Sequence, residues 1–204
     1  MKNILIAVAL LLSLNSFAQN YEKLQGAFEE SYNAEDNKEY ENAIIALQKV
    51  YLDDSYEINL RLGWLYYQKG DLVNSEKYYS KAMEILPYSE EAKIGIILPK
   101  TANAKWDEII DIYKQILTIS PNNTLACYHL GYIYYNQKKY GLANVQFEKI
   151  INLYPFNYDA LLMYGWSNLQ LGKFKKSKII FNKVLMLSPH DKSAIDGLFI
   201  INKK

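Results

Sequence analysis

The sequence predicts an all-α fold: an α–α superhelix of about five helical hairpins, followed by a C-terminal capping helix. Three observations carry this expectation. Four of the five prolines, Pro87, Pro121, Pro155 and Pro189, follow one another at intervals of 34 residues. Gly63, Gly131 and Gly165 keep that step, as do the columns Leu72, Trp106, Tyr140, Phe174 and Tyr79, Tyr113, Phe147, Phe181. The period-two alternation of a half-buried strand is missing, so no strands are expected. A period of this length marks one supersecondary unit repeated along the chain. No such unit buries both of its faces alone, so stacking supplies the core.

Composition fits a folded array. The chain has 204 residues, half of them hydrophobic, with only 9 Gly and 5 Pro, which argues against disorder. The formal net charge of +1 gives no bulk basic field for nucleic acid. The single cysteine, Cys127, excludes an internal disulfide and a cysteine-rich zinc site. The unusual count is 19 tyrosines.

In chain order, residues 1–18 read as an export signal. Lys2 precedes an apolar run from Ile4 to Leu14, and Ser16 and Ala18 place small residues where signal peptidase reads, with cleavage expected after Ala18. A membrane anchor is the competing reading, but eleven residues span only about 16 Å as a helix, roughly half a hydrocarbon core. No cysteine stands at the cleavage site for a lipid anchor, and no later stretch is apolar for long enough to span. The expected location is therefore exported, periplasmic or secreted, and the signal looks bacterial.

Residues 19–204 read as one array, with units at about 24–55, 56–89, 90–123, 124–157 and 158–191 and a cap at 192–204. The second unit is the clearest. Ile58, Leu62, Leu65 and Tyr66 recur at helical spacing, Lys69-Gly70-Asp71 turns the chain, and Ser75, Tyr78, Tyr79, Ala82 and Ile85 form a second stripe that Pro87 ends. The first unit is weaker. In the third, Pro99 is expected to kink or end the first helix, because proline removes one backbone hydrogen bond. Ser193 to Ile201 reads as a final amphipathic helix covering the last apolar face.

These residues resemble the tetratricopeptide repeat. Leu62-Gly63-x-x-Tyr66, Gly70, Ser75, Tyr79, Ala82 and Pro87 follow its pattern in order, and Leu130-Gly131-x-x-Tyr134, Tyr140, Ala143, Phe147 and Pro155 follow it again. Gly165-Trp166, Gly172, Ser177, Phe181 and Pro189 make a third match. The resemblance covers nearly all of residues 22–204. It implies a protein-binding scaffold and speaks to fold far more than to biology.

In such arrays one stripe of each first helix lines the concave face. Here that stripe is Phe28 and Tyr32, then Leu60, Trp64 and Tyr67, then Ile94 and Leu98, then Tyr128, Tyr132 and Tyr135, and last Leu162 and Trp166. Tyrosine and tryptophan offer large contact area with few rotors and dominate binding hot spots. One reading is a groove that grips a peptide or protein segment; the other is tighter packing within the array. The carboxylate clamp of chaperone-binding relatives needs cations on this face. Leu60, Trp64, Tyr128 and Tyr132 stand at the matching positions, and Arg61 is the only arginine in the chain, so that clamp is not expected.

Charge is uneven along the chain. Residues 21–60 hold ten acidic and three basic side chains, and residues 170–204 hold eight lysines and two aspartates. This reads either as a solvated face or as ends suited to homo-oligomerisation. Enzyme chemistry is not indicated, and neither a cofactor nor a metal is implied. Cys127 and His129, two apart on a helix, point about 160° apart, and no Gly-rich phosphate loop or metal-ligand spacing is present. Asn122-Asn123-Thr124 is a chance-level glycosylation triplet. The expected function is a non-enzymatic scaffold of the cell envelope. The alternatives are a self-associating structural subunit and a glycan-binding accessory protein that uses the same tyrosines as stacking platforms.

Overall fold

A computed structural model describes residues 21–203; the expected signal and its cleavage site lie outside them. The described residues form helices and no strand. Helix α1 covers residues 21–36, and α2 is Tyr40–Gln48. Then follow α3 (Tyr56–Lys69), α4 (Leu72–Ile85) and α5 (Glu90–Ala102). The chain then continues through α6 (Trp106–Ile119), α7 (Thr124–Asn136), α8 (Tyr140–Leu153), α9 (Tyr158–Gln170), α10 (Phe174–Leu187) and α11 (Lys192–Asn202). The chain divides into two compact units, one ending at Ala104 and one beginning at Lys105.

The 34-residue period is visible in the helix boundaries. The second helices of four hairpins begin at Leu72, Trp106, Tyr140 and Phe174 and end two residues before a proline. The first helices begin one residue after Ser55, Ser89, Asn123, Asn157 and Asp191. Each of these five residues accepts a hydrogen bond from the amide three residues on, which satisfies an otherwise orphaned helix-start donor. Asn123, the middle residue of the Asn122-Asn123-Thr124 triplet, is one of these caps.

The turn inside each hairpin needs one left-handed residue. Lys38, Gly70, Ala104, Lys138 and Gly172 occupy these turns, with φ between 52° and 85°. Glycine takes this conformation freely, whereas a residue with a Cβ pays about 1 kcal/mol. Gly70→Ala should therefore lower the unfolding free energy by about 1 kcal/mol, while Lys138→Gly should leave it unchanged or raise it. Urea midpoints of the two variants check these opposite signs.

Aromatic rings from the second helices lock the stack. Tyr79 of α4 lies between Gly63 of its own hairpin and Gly95 of the next; a Cβ would come within 2.7 Å of the ring at Gly63 and within 2.2 Å at Gly95. Phe181 of α10 is held in the same way between Gly165 and Gly197. Phe147 of α8 packs against Gly131. Buried hydroxyls tie the hairpins further, with Ser75 Oγ donating to the Gly63 carbonyl at 2.7 Å and Ser177 Oγ to the Gly165 carbonyl at 2.8 Å.

Pro99 does not end its helix. Helix α5 runs on to Ala102, with the Asn103 amide donating to the Pro99 carbonyl at 3.1 Å. Tertiary burial of Ile96, Ile97 and Pro99, together with the ion pair of Lys100 to Glu76 at 3.1 Å, outweighs the one lost bond. At the other end, α11 buries Ala194 and Gly197 against its neighbours but leaves Ile195 and Phe199 45% and 58% exposed. The cap thus covers the last hairpin and presents a second apolar face of its own.

Candidate partner-binding groove

In the N-terminal unit the expected stripe becomes a cleft of about 630 Å³. Its walls repeat with the period of the fold. Helix α3 contributes Glu57, Leu60, Arg61 and Trp64, a single face at i, i+3, i+4 and i+7. Helix α5 contributes Glu91, Ile94, Gly95 and Leu98, the same face 34 residues on, and α1 adds Phe28 and Tyr32. The side chains are not buried by their neighbours: Tyr32 is 51% exposed, and Phe28, Leu60, Trp64 and Leu98 are half-buried. Tyr67, also expected here, packs on Trp64 with ring centroids 6.1 Å apart but does not line the cleft.

The aromatic walls are held by hydrogen bonds beneath them. Trp64 Nε1 donates to Glu35 Oε1 at 2.5 Å. The same carboxylate pairs with Arg61, whose Cζ lies 3.9 Å from the centroid of the Tyr32 ring. The Arg61 side chain is only 10% exposed, and its buried Nε has no hydrogen-bond partner among the described residues. In the C-terminal unit the indole N–H of Trp166 is likewise engaged, Nε1 donating to Ser193 Oγ at 2.8 Å. The ring faces are therefore fixed in place with their polar atoms already satisfied.

In the C-terminal unit the structure brings together Tyr132, Tyr135, Leu162 and Trp166, with Met163 and Ser193, around a recess of about 330 Å³. Tyr132 is 46% exposed, and Leu162 and Trp166 are half-buried. Tyr128 stands apart. It stacks on Tyr132 at 6.4 Å and meets Phe147 edge-on at 5.9 Å, but it lines a separate recess with Leu125, His129 and Asp159. Burial raises the pKa of the Tyr128 and Tyr135 hydroxyls, and that of Tyr113 to about 12, so all three stay neutral at physiological pH.

The nucleophile candidates sit in packing positions. Cys127 is buried, and desolvation raises its thiol pKa, which disfavours the reactive thiolate. His129 stacks on Tyr113 at 5.8 Å, and burial lowers its pKa. Among the described residues no three His, Cys, Asp or Glu side chains gather as a metal would require.

Sequence reasoning passed over Tyr56, Glu57, Arg61 and Glu91 as groove residues. A helical wheel could have found three of them, because Glu57 and Arg61 share a face with Leu60 and Trp64, and Glu91 shares one with Ile94 and Leu98. The engagement of Arg61 by Glu35 was not visible, because it depends on how α1 meets α3.

Stacked helical hairpins repeating every 34 residues define an all-α helical-repeat fold. The chain matches the tetratricopeptide repeat family over residues 56–87, 126–157 and 158–191, so it contains tetratricopeptide repeats. Repeats of this family generally mediate protein–protein interaction. Among solved structures, the chain is similar to a tetratricopeptide repeat protein from Parabacteroides merdae, with 20% identity, a TM-score of 0.74 and coverage of 89% of this chain and 75% of that one. It is also similar to MamA, with 20% identity, a TM-score of 0.69 and coverage of 81% and 91%. A curated protein, the Arabidopsis thaliana CTR9 homolog, is 22% identical over 131 residues, which span 64% of this chain but 12% of that protein. These likenesses support the fold.

Proposed function

We propose that this chain is a non-enzymatic scaffold, exported to the cell envelope, that holds a peptide or protein segment in its aromatic groove. The observation that carries the reading is the cleft of about 630 Å³ in which Phe28, Tyr32, Leu60, Trp64, Ile94 and Leu98 meet and stay accessible. Anchored aromatic faces beside aliphatic walls are the usual composition of a binding hot spot. The apolar run from Ile4 to Leu14, followed by small residues, supports export.

A second reading, self-association, is favoured by one observation. Helix α11 exposes Ile195 and Phe199 within a lysine-rich segment, while residues 21–60 are strongly acidic. One experiment separates the two. The tagged chain is used to capture partners from native envelope under crosslinking, and a differently tagged second copy is offered in parallel. Trp64→Ala should weaken capture of a groove partner about tenfold, the loss typical of one truncated aromatic anchor, while the helical circular dichroism stays unchanged. Capture that is indifferent to Trp64→Ala removes the groove reading. Efficient capture of the second copy, insensitive to that change, establishes self-association instead.

A further inference from the structure

The N-terminal cleft is charged at one end. Glu57 and Glu91 occupy equivalent first-turn positions of α3 and α5. Those two helix starts touch, because Tyr56 Oη lies 2.7 Å from Ser89 Oγ. Both carboxylates are exposed, and their partners are hydroxyls: Ser55 Oγ donates to Glu57 at 3.2 Å and Tyr56 Oη to Glu91 at 3.3 Å. Neither has a cation within ion-pair distance among the described residues. A helix N-terminus favours a carboxylate by a fraction of a unit charge, which accounts for its placement but does not neutralise it.

The one cation in the cleft wall cannot compensate. Arg61 is nine-tenths buried, paired with Glu35 and covered by the Tyr32 ring, so its charge is already balanced from within. An incoming ligand therefore meets an apolar wall, two unbalanced carboxylates at one end and no accessible positive group. A free C-terminal carboxylate or an acidic segment would be desolvated there against like charge, which costs rather than stabilises.

We infer that the N-terminal cleft selects a segment carrying a lysine or arginine beside apolar side chains, with the cation facing Glu57 and Glu91 and the apolar groups packed on Leu60, Trp64 and Leu98. This rests on the groove reading and narrows it to one class of partner.

The test uses a bead library of randomised heptapeptides, acetylated and amidated so that no terminal charge intervenes, incubated with the labelled chain. Capture that depends on Trp64 defines the groove signal. Within that signal, lysine and arginine should be enriched about fivefold over aspartate and glutamate, the factor expected from two exposed ion pairs. Glu57→Gln combined with Glu91→Gln should erase the bias and leave Trp64-dependent capture by apolar sequences in place. Both positions are exposed, and circular dichroism verifies the fold. Trp64-dependent capture with no basic bias, with an acidic bias, or with a basic bias that survives the double variant overturns the inference and spares the groove. The absence of any Trp64-dependent capture overturns both.

Discussion

Phe181→Ala should cost about 3–5 kcal/mol of unfolding free energy, the range for removing a fully buried ring. Phe181 is fully buried. It meets Trp166 of α9 edge-on, with centroids 5.3 Å apart, and rests against Gly165 of α9 and Gly197 of α11. One ring thus fastens three helices, and the cavity left by alanine cannot close without moving two of them. The glycines make the test sharper. Gly197→Ala would place a Cβ 2.3 Å from the ring, which cannot retreat because Gly165 backs it. In the wild-type background this should cost about 1–3 kcal/mol through overpacking. With Phe181→Ala the space is free, and the better helix propensity of alanine should make the same change stabilising by about 1 kcal/mol. A urea double-mutant cycle reads the reversal of sign. Additive losses, or a Phe181→Ala cost below about 1 kcal/mol, would show that the ring does not lock the stack.

Much of this architecture was legible in the sequence, because the features that set the repeat are single residue types. Proline past a helix end and a large ring opposite a glycine recur in recognisable form, so the hairpin boundaries could be read from Pro87, Tyr79 and Gly63 and their counterparts. The helix starts were harder to see. Ser55, Ser89, Asn123, Asn157 and Asp191 share a function, a short side chain with an accepting oxygen, but not an identity. The left-handed turns were obscured for a similar reason, since only Gly70 and Gly172 declare them, while Lys38, Ala104 and Lys138 tolerate the strain. The fate of Pro99 depended on burial that local sequence does not report. In the groove, helical spacing identified the apolar stripe, but Tyr128 turned to another recess because Phe147 and Tyr132 hold its ring.

Glu35→Gln carries the second large effect, and its logic runs from stability to recognition. The glutamine can still accept the indole N–H of Trp64, but it no longer balances the guanidinium of Arg61. Removing one member of a buried pair leaves an uncompensated charge, which costs about 3–5 kcal/mol when burial is complete. Glu35 retains 20% exposure and Arg61 10%, and the Tyr32 ring still covers the cation, so the expected loss is about 2–3 kcal/mol. Replacing both residues with leucine should cost less than Glu35→Gln alone, because no charge is then stranded. Equal losses for the single and the double change would show that the pair is uncoupled. The single variant should also change what the cleft accepts. With Glu35 neutral, Arg61 becomes an unbalanced cation beside Leu60 and Trp64, and acidic heptapeptides should gain capture relative to basic ones on the same bead library. A variant that loses stability without shifting that preference would mean that Arg61 stays sealed beneath Tyr32 and takes no part in partner choice.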